Sequence, residues 1–386
     1  MKIAALRRVL AVVLLSMLAG APAVAAPGTL LEATPVDGAP AGARAWRIRY
    51  ETTNVDGGLT QSTGVLVAPD GAGPPAGRDV VAWAHGTVGI DPACVPIRTL
   101  DQIPGLAEML ARGWVVVATD YPGLGTPGPH AYLVGDAAAA AVLDSVRAAI
   151  GHRMAGAGRR VVVWGHSQGG HAALFTANRA AAYAPELQLL GTAAVSPPTD
   201  LARNMQHADP TVRGLLMAFT ARSWAQVYGA DLGTIANATT QGVIKRATVG
   251  CEGDPFSAAA LVRLLRLRAR LGSLDLGGRA PWDALMARNS ITSLSASAAP
   301  LLLVQSDGDG LVATTVTRAF FEASCERGAV ARYLRLPDTG HATTAIASAD
   351  DVLAWIAERF SGRAAATDCT QEVRAAAPVA AGPQQQ

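Results

Sequence analysis

One serine lies between two glycines where a predicted strand meets a predicted helix. Residues 161–164 (VVVW) are typical of a buried strand, and the segment 172–174 (AAL) is typical of a helix. Between them, residues 165–169 (GHSQG) match the pattern G-x-S-x-G, which places a serine hydroxyl on a sharp strand-to-helix turn. Backbone N–H groups and the positive end of the helix dipole favour a developing oxyanion there. The pattern predicts that Ser167 is a catalytic nucleophile, the alternative being a glycine-rich turn with an idle serine.

A serine hydroxyl is a weak nucleophile unless a base accepts its proton, and the chain has seven histidines from which that base could come. His166 is adjacent to Ser167, so its side chain should point away from the hydroxyl. His171 lies one turn along the same helix and cannot easily approach the serine oxygen from the required side. His341 follows the last predicted strand, in the loop LPDTGH at the carboxyl edge of the predicted sheet. We therefore predict His341 as the base, against the alternative of a surface-loop histidine.

The acid that orients such a histidine is expected between the serine and the histidine in the chain. The segment QSDGDG, after the apolar run 301–304, offers Asp307 and Asp309. Spacing does not choose between these two aspartates, and the one that does not act as the acid would have a turn-forming role. The acid would orient the imidazole and stabilise its cation without taking the proton itself.

Two backbone N–H groups are predicted to stabilise the oxyanion. One is the N–H of Gln168, directly after the nucleophile, and the other is expected in the loop after an earlier strand. The segment HGT, after the apolar run 80–84, fits that loop and assigns the second donor to Thr87, with Gly86 as the alternative. A simple strand-ending turn is the other interpretation of this segment.

A glycine- and proline-rich loop follows the predicted strand WVVVATD. It is predicted to line the pocket, with Asp120 and Tyr121 close to the site. Its glycines do not follow a phosphate-binding pattern, which argues against a nucleotide site. No metal or cofactor is implied by any of these residues.

The elements that must position these residues alternate along the chain. Two strands, WRIRYET and STGVLVAP, are separated by a Gly-Gly turn and predict an antiparallel start. Short apolar strands then alternate with helical stretches, which is typical of a parallel sheet covered by helices. The predicted helices lie at about 104–112, 136–150, 312–327 and 343–360, with another directly after Ser167.

The alternation fails between residues 199 and 298, which we interpret as an inserted cap. This stretch contains LVRLLRLRARL, in which Leu261, Leu264, Leu265 and Ala269 lie at helical spacing opposite several arginines. Such a helix either meets lipid as a lid or packs its leucines inward. The predicted organisation is a core at 26–198 and 299–362, the cap at 199–298, and a low-complexity tail at 363–386.

The first 25 residues have the composition of a secretory signal peptide. Lys2, Arg7 and Arg8 precede the apolar stretch 9–18, which is too short to span a bilayer, and residues 23–25 (AVA) form a small-residue cleavage site. Removing these three basic and no acidic residues changes the formal net charge from +2 to −1, which gives no indication of a nucleic-acid surface. No later stretch is long and apolar enough for a transmembrane helix. We therefore expect an exported, soluble protein.

Four cysteines, Cys94, Cys251, Cys325 and Cys369, are widely spaced. This spacing argues against a zinc site, and in an oxidising compartment it favours two disulfides over four free buried thiols. Four cysteines allow three pairings, and spacing does not choose among them.

Taken together, these segments resemble the secretory lipases of the lipase A-like kind, a branch of the α/β-hydrolases found in fungi and in high-GC bacteria. The resemblance extends through most of residues 45–360 apart from the cap. It rests on WAHGTVGIDPAC, GWVVVATDYPGLGTPGPHAYLVG, VLDSVRAA, VVVWGHSQGGHAALF, AVSPPTDL and QSDGDGLV…C…YLRLPDTGH. It implies an α/β-hydrolase fold, with a mostly parallel central sheet, helices on both faces and an inserted, mainly helical cap.

The resemblance also implies an acid, a disulfide pairing and a substrate class. The family pattern Q-G-x-x-D-x-V maps onto residues 305–311, which favours Asp309, although Ser306 stands where the family has glycine. The substrates would be carboxylic esters, often triacylglycerols, with the acyl chain held by a cap that could contact a lipid interface transiently. The implied disulfides are Cys94 with Cys251, which links the loop after the oxyanion strand to the cap, and Cys325 with Cys369, which pins the tail.

These observations lead to one hypothesis, an exported α/β-hydrolase that acts on carboxylic esters. Ser167 attacks the ester carbonyl, His341 takes and returns the proton, and Asp309 orients His341. The N–H groups of Thr87 and Gln168 stabilise the oxyanion. No metal, cofactor or nucleic acid takes part. The alternatives are an acyltransferase with the same residues, a serine peptidase, and a non-catalytic binding protein, which would predict a broken triad.

Overall fold

A computed structural model describes residues 25–95, 100–251, 262, 265, 269, 271, 274–369 and 374–375 of the 386-residue chain. All but the last residue of the predicted signal peptide lies outside the described residues. The same is true of Leu261 and Leu264 in the predicted cap helix and of most of the predicted tail.

The amino-terminal edge of the sheet is antiparallel. Strands β1 (Leu30–Val36), β2 (Ala43–Thr53) and β3 (Leu59–Pro69) pair in sequence order, and β2 and β3 form a hairpin paired along its whole length. Both strands of the predicted antiparallel start are therefore present. β1 is absent from the sequence-based prediction.

Parallel strands follow the antiparallel edge. They are β4 (Arg78–Ala84), β5 (Val115–Thr119), β6 (Ala157–His166), β7 (Gln188–Val195), β8 (Leu301–Ser306), β9 (Ala331–Leu336) and the short β10 (Arg374–Ala375). Within the described residues, the sheet has ten strands in the order β1-β2-β3-β5-β4-β6-β7-β8-β9-β10, and only the pairs from β1 to β5 are antiparallel. The carboxyl ends of β4 and β6 to β9 therefore lie along one edge.

Helices cover both faces of the sheet. Those whose bounds lie within the described residues are, in chain order, α1 (Leu106–Ala111), α2 (Gly135–Gly151), α3 (Gln168–Tyr183), α4 (Leu201–His207), α5 (Pro210–Val227), α6 (Ala238–Ala247), α7 (Trp282–Arg288), α8 (Thr314–Glu326), α9 (Thr344–Ala347) and α10 (Ala349–Phe360). Met109 of α1 and Trp355 of α10 pack in one cluster with Val116, whereas Val142 of α2 packs with Val117. Successive strand residues point to opposite faces, so α1 and α10 lie on one face and α2 on the other. In the described part of the chain, no helix combines the length and the apolar character needed to cross a membrane.

The helices between β7 and β8 share a core of their own. α4 to α7 lie in this stretch, and their core includes Phe219, Trp224 and Trp282. It extends to the glycine- and proline-rich loop through Tyr132, whose ring is 5.8 Å from that of Phe219. The predicted cap falls on this helical insertion, and its boundaries stay a prediction.

Candidate active site

Ser167 lies at the turn between β6 and α3 in a strained backbone conformation. Its φ of 56° and ψ of −119° are unusual for a residue with a side chain, and its N–H donates to the carbonyl of Val195 at 2.9 Å. A Cβ on Gly165 would overlap the carbonyl oxygen of Gly169, and a Cβ on Gly169 would overlap that of Ala84. Close backbone packing around the serine therefore requires both glycines of the motif.

His341 lies between Ser167 and Asp309. Its Nε2 is 2.8 Å from Ser167 Oγ, and its Nδ1 is 2.8 Å from Asp309 Oδ2. Because a carboxylate oxygen only accepts, Nδ1 carries the proton and Nε2 presents its lone pair to the serine hydroxyl. Ser167 follows β6, Asp309 follows β8 and His341 follows β9, so three loops at the carboxyl edge supply the three side chains. The arrangement can draw the proton from the serine as the oxygen attacks.

Asp309 is buried and accepts hydrogen bonds on both carboxylate oxygens. The N–H groups of Leu311 and Val312 donate to Oδ1 at 2.9 Å, and the Gln305 amide donates to Oδ2 at 3.2 Å. Burial raises the pKa of Asp309, but the hydrogen bond and charge of His341, together with the backbone donors, outweigh it and hold the pKa below its usual value. Gln305 is not among the predicted site residues, although it opens the family pattern Q-G-x-x-D-x-V.

Asp307, the other candidate acid, does not contact the histidine. Its carboxylate forms an ion pair with Arg335 at 2.6 Å. Ser306, where the family has glycine, accepts hydrogen bonds on Oγ from the N–H groups of Gly308 at 3.1 Å and Thr339 at 2.9 Å. The serine thereby joins the loop of the acid to the loop that leads to His341.

The loop after β4, which holds the predicted oxyanion donor Thr87 and is called the oxyanion loop below, lies directly against Ser167. A Cβ on Gly86 would be 3.6 Å from Ser167 Cβ. Within the ranges that the structure describes, neither the Thr87 N–H nor the Gln168 N–H donates to a protein acceptor. The Gly86 carbonyl accepts from His85 Nδ1 at 2.6 Å, and because it shares a trans peptide with the Thr87 N–H, that N–H points in the opposite direction. Both predicted donors are therefore available for an oxyanion.

The two histidines nearest to Ser167 in sequence bond to other groups. His166 Nε2 donates to the carbonyl of His341 at 2.9 Å, and His171 Nε2 donates to the carbonyl of Asn289 at 2.7 Å. Burial lowers the pKa of both side chains to about 4, so both are neutral at ordinary pH. The His166 ring lies 5.0 Å from that of His341 and supports the backbone of His341.

Asp120 and Tyr121, predicted to lie close to the site, are buried beside the oxyanion loop. Asp120 is ion-paired with Arg47 and accepts from the Thr63 hydroxyl at 2.6 Å. The Tyr121 hydroxyl donates to the carbonyl of His85 at 3.3 Å. Through these contacts the two residues support the loops around the site.

Two disulfides join described residues with the pairing that the resemblance implies. Cys94 bonds to Cys251, which links the loop after β4 to the segment after α6. Cys325 of α8 bonds to Cys369, beyond α10. The first of these bonds therefore connects the oxyanion side of the site to the helical insertion.

Comparison with known families and sequences gives consistent matches. A family model described as secretory lipase matches residues 99–368. The chain is 26% identical to a secreted triacylglycerol lipase of Malassezia globosa, over 90% of this chain and 79% of that protein. It is 23% identical to a protein of Mycobacterium tuberculosis named as a probable inactive lipase, over 88% of this chain and 80% of that protein.

Solved structures show the same architecture. Candida antarctica lipase A superposes with a TM-score of 0.74 at 18% identity, over 92% of this chain and 86% of that chain. A rice cell wall degrading esterase of Xanthomonas oryzae superposes with a TM-score of 0.70 at 20% identity, over 87% and 98%. The predicted α/β-hydrolase fold is confirmed.

Proposed function

This chain belongs to the secretory lipase family, and on that premise we propose that it cleaves carboxylic esters through an acyl-enzyme on Ser167. It is a carboxylic ester hydrolase by family and by its lipase relatives. The observation that supports the serine mechanism is the hydrogen-bonded series Asp309–His341–Ser167, with 2.8 Å at each link. The proton on Nδ1 and the lone pair on Nε2 are those that a general base needs.

In the first half of the reaction, Ser167 Oγ attacks the carbonyl carbon of the ester while His341 Nε2 takes the hydroxyl proton. The π electrons of the carbonyl move onto its oxygen and form a tetrahedral oxyanion. Asp309 stabilises the imidazolium through Nδ1–H and does not take its proton. When the intermediate collapses, the bond to the leaving alkoxide breaks, and the alkoxide takes the proton from Nε2 and departs as an alcohol.

In the second half, water takes the place of the alcohol. His341 Nε2 accepts a proton from water as its oxygen attacks the acyl carbon, and a second oxyanion forms. Its collapse breaks the bond to Ser167 Oγ, which recovers the proton, and a carboxylic acid is released. An alcohol in place of water would give acyl transfer with the same residues.

The N–H groups of Thr87 and Gln168 stabilise both oxyanions in this proposal. The proximity of the Gly86 loop to Ser167 and the absence of other acceptors for the two N–H groups in the described chain support this role. One such donor is worth about 10²- to 10³-fold in kcat in a serine hydrolase.

The proposed substrate is a lipid ester such as an acylglycerol. The Malassezia globosa relative is named a triacylglycerol lipase, and the helical insertion adjoins the site through the loop that holds Cys94. Val262 and Leu265 in the predicted cap helix are 47% and 51% exposed, which suits a transient contact of the cap with lipid.

We further propose that the protein is secreted. The first 25 residues have the pattern of a signal peptide, the Malassezia globosa relative is named as secreted, and two disulfides are typical of an oxidising compartment. The amino terminus of the protein recovered from culture medium tests this proposal, with cleavage after Ala25 as the expected result.

The test of the chemistry is hydrolysis of p-nitrophenyl esters from acetyl to palmitoyl by the purified mature protein and by Ser167→Ala. Ser361→Ala is the matched control, because its exposed hydroxyl donates to the carbonyl of Glu358 at its own helix end and, among the described residues, has no other hydrogen-bond partner. We expect turnover by the wild type and the control and a loss of at least about 10⁴-fold in Ser167→Ala. The acyl length with the highest kcat/KM then distinguishes an esterase from a lipase.

Three outcomes would overturn the proposal. Equal turnover by Ser167→Ala would place the nucleophile elsewhere. A folded wild type that cleaves no ester would agree with a non-catalytic role, as the name of the Mycobacterium tuberculosis relative suggests for that protein. Cleavage of a peptide p-nitroanilide in preference to every ester would indicate a peptidase.

A further inference from the structure

A three-residue segment contacts the side chains of both proposed oxyanion donors. It comprises residues 130–132, near the end of the glycine- and proline-rich loop, and is called the strap below. The ring of His130 is hydrogen-bonded to the Gln168 side chain at 3.0 Å, and the Tyr132 hydroxyl is hydrogen-bonded to the Thr87 hydroxyl at 2.9 Å. Gln168, His130 and Tyr132 are each no more than 3% exposed, so the bond between His130 and Gln168 is shielded from water. The bond between Tyr132 and Thr87 is partly buried, because Thr87 is half-buried.

The bond between His130 and Gln168 has a defined direction. His130 Nδ1 is 3.1 Å from the carbonyl oxygen of Pro122, which can only accept, so Nδ1 carries the proton. Nε2 therefore accepts, and the amide of Gln168 donates to it. Burial lowers the pKa of His130 to about 3, which keeps the ring neutral and this direction unchanged at ordinary pH.

The strap is itself held by helix α5 of the insertion. The Ser223 hydroxyl donates to the carbonyl of His130 at 2.6 Å and accepts from the N–H of Tyr132 at 2.9 Å. The indole of Trp224 donates to the carbonyl of Tyr132 at 3.0 Å. On the other side, a Cβ on Gly123 would overlap the backbone of His130, so the loop packs tightly against the strap. Both its backbone and its side chains are therefore fixed.

We propose that the strap positions the oxyanion hole, with His130 and Tyr132 as positioning residues for Gln168 and Thr87. This inference rests on the proposed function and names a further determinant of its rate. Each donor N–H belongs to a residue whose own side chain is anchored, so a change of its peptide orientation would have to break a hydrogen bond that is buried at Gln168 and partly buried at Thr87. Donors fixed before the reaction stabilise the oxyanion without reorganising, which is the source of their effect on kcat. Through Ser223 and Trp224, the insertion helps to set that rate.

The test removes one hydroxyl at a time. Tyr132→Phe and Thr87→Val each delete one partner of the same hydrogen bond, and Tyr333→Phe is the matched control. Tyr333 also pairs a buried hydroxyl with a threonine, Thr317, at 3.3 Å, but in β9 and α8, away from the oxyanion loop. For Tyr132→Phe we expect kcat to fall about tenfold with KM within about twofold, and Tyr333→Phe to keep both values. Because Tyr132→Phe and Thr87→Val break the same hydrogen bond, kcat of the double variant should fall no further than kcat of either single variant.

A second measurement, the rate of phosphonylation, tests the oxyanion hole without an ester substrate. An alkyl fluorophosphonate phosphonylates Ser167 with loss of fluoride, and its phosphoryl oxygen occupies the oxyanion position. Its labelling rate should fall with kcat in Tyr132→Phe and not in Tyr333→Phe. For the His130 half of the strap, His130→Gln should retain more activity than His130→Leu, since glutamine still offers an acceptor to the Gln168 amide.

The outcomes separate this inference from the proposed function. A wild type that is labelled but cleaves no ester overturns the proposed function. The labelling rate of Tyr132→Phe relative to that of the wild type then still tests whether the strap positions the oxyanion hole. Unchanged kcat and labelling in Tyr132→Phe, or a raised KM with unchanged kcat, overturns the strap alone. A wild type that neither cleaves esters nor reacts with the fluorophosphonate overturns both.

Discussion

On the acid–base side of Ser167, His341 lies between a hydroxyl and a carboxylate, and its side chain remains 12% exposed. On the oxyanion side, His85 and His130 donate to backbone carbonyl groups and are buried. Burial lowers the pKa of His85 to about 4 and that of His130 to about 3, so both stay neutral at ordinary pH. In the proposed mechanism, histidine therefore moves a proton on the acid–base side and serves as a fixed hydrogen-bonding group on the oxyanion side.

The two sides also differ in how the helical insertion contacts them. The acid–base side chains follow β6, β8 and β9, and the insertion contacts the backbone of the Asp309 loop through Asn204 of α4, which donates to the Leu311 carbonyl and accepts from the Ala313 N–H. The oxyanion side depends on the strap, which is held by α5 of the helical insertion. Substitutions on the acid–base side should nearly abolish ester hydrolysis, whereas substitutions on the oxyanion side should each lower kcat by a smaller factor.

The largest expected effect is on the acid–base side. Asp309→Asn retains the shape of the side chain but lets the amide donate to His341 Nδ1, which favours the wrong tautomer. We expect kcat to fall about 10⁴-fold. Asp307→Asn, two residues away, loses only the ion pair with Arg335, and kcat should stay within about twofold. Initial rates with one p-nitrophenyl ester at saturation measure both variants.

Equal losses in the two aspartate variants would contradict the assignment of the acid. Thermal unfolding followed by circular dichroism provides the control, because a fall in kcat without a change in melting temperature identifies a loss of chemistry and not of fold.

The two disulfides offer a second comparison between the sides. The bond Cys94–Cys251 joins residues that are 157 apart in sequence, and Cys325–Cys369 joins residues that are 44 apart. The entropy that these bonds remove from the unfolded chain stabilises the folded protein by about 5 and about 4 kcal/mol, respectively. Urea unfolding of Cys94→Ala/Cys251→Ala and of Cys325→Ala/Cys369→Ala should therefore give similar losses, about 1 kcal/mol larger for the first pair.

Activity should separate the same two variants more clearly than stability. Only the first disulfide joins the oxyanion loop to the insertion, so only the first pair should lower kcat at a temperature where both variants are folded. A loss of kcat in the second variant of the same size would show that the disulfides act through global stability alone.

The sheet core could be predicted from the sequence because its signals are local. The strands are short apolar runs, and Ser167 and His341 lie next to such runs within a few residues. Spacing could not choose between Asp307 and Asp309, since both lie in one short loop, and the choice came from the family resemblance. β1 escaped prediction because its seven residues bury none of their side chains fully and show no regular alternation.

The strap could not be predicted because its partners are distant in sequence. His130 and Gln168 are 38 residues apart, and Thr87 and Tyr132 are 45 apart. No periodic pattern links residues of a glycine- and proline-rich loop to such partners. Ser223, which fixes the strap from α5, lies a further 91 residues beyond Tyr132, in the stretch where the alternation of strands and helices fails.

The smallest expected effect concerns the buried histidines of the oxyanion side. Because burial lowers the pKa of His130 to about 3, the unfolded chain, with an ordinary histidine pKa of about 6.5, binds one more proton than the native protein at pH values between these two. The difference in proton binding at His130 does not change the free energy of unfolding above about pH 6.5, and it lowers that free energy as the pH falls below that value. The free energy of unfolding should therefore decrease more steeply with falling pH in the wild type than in His130→Gln, by about 1.4 kcal/mol per pH unit.

Urea unfolding at pH 7, 6 and 5 measures this difference in slope. His85, with its pKa lowered to about 4, should behave in the same way, so His85→Gln is a second variant with the same expected sign. If both variants lose stability in parallel with the wild type, the two histidines are charged in the native protein. They would then not be neutral hydrogen-bonding groups, and the contrast with the proton-transferring His341 would fail.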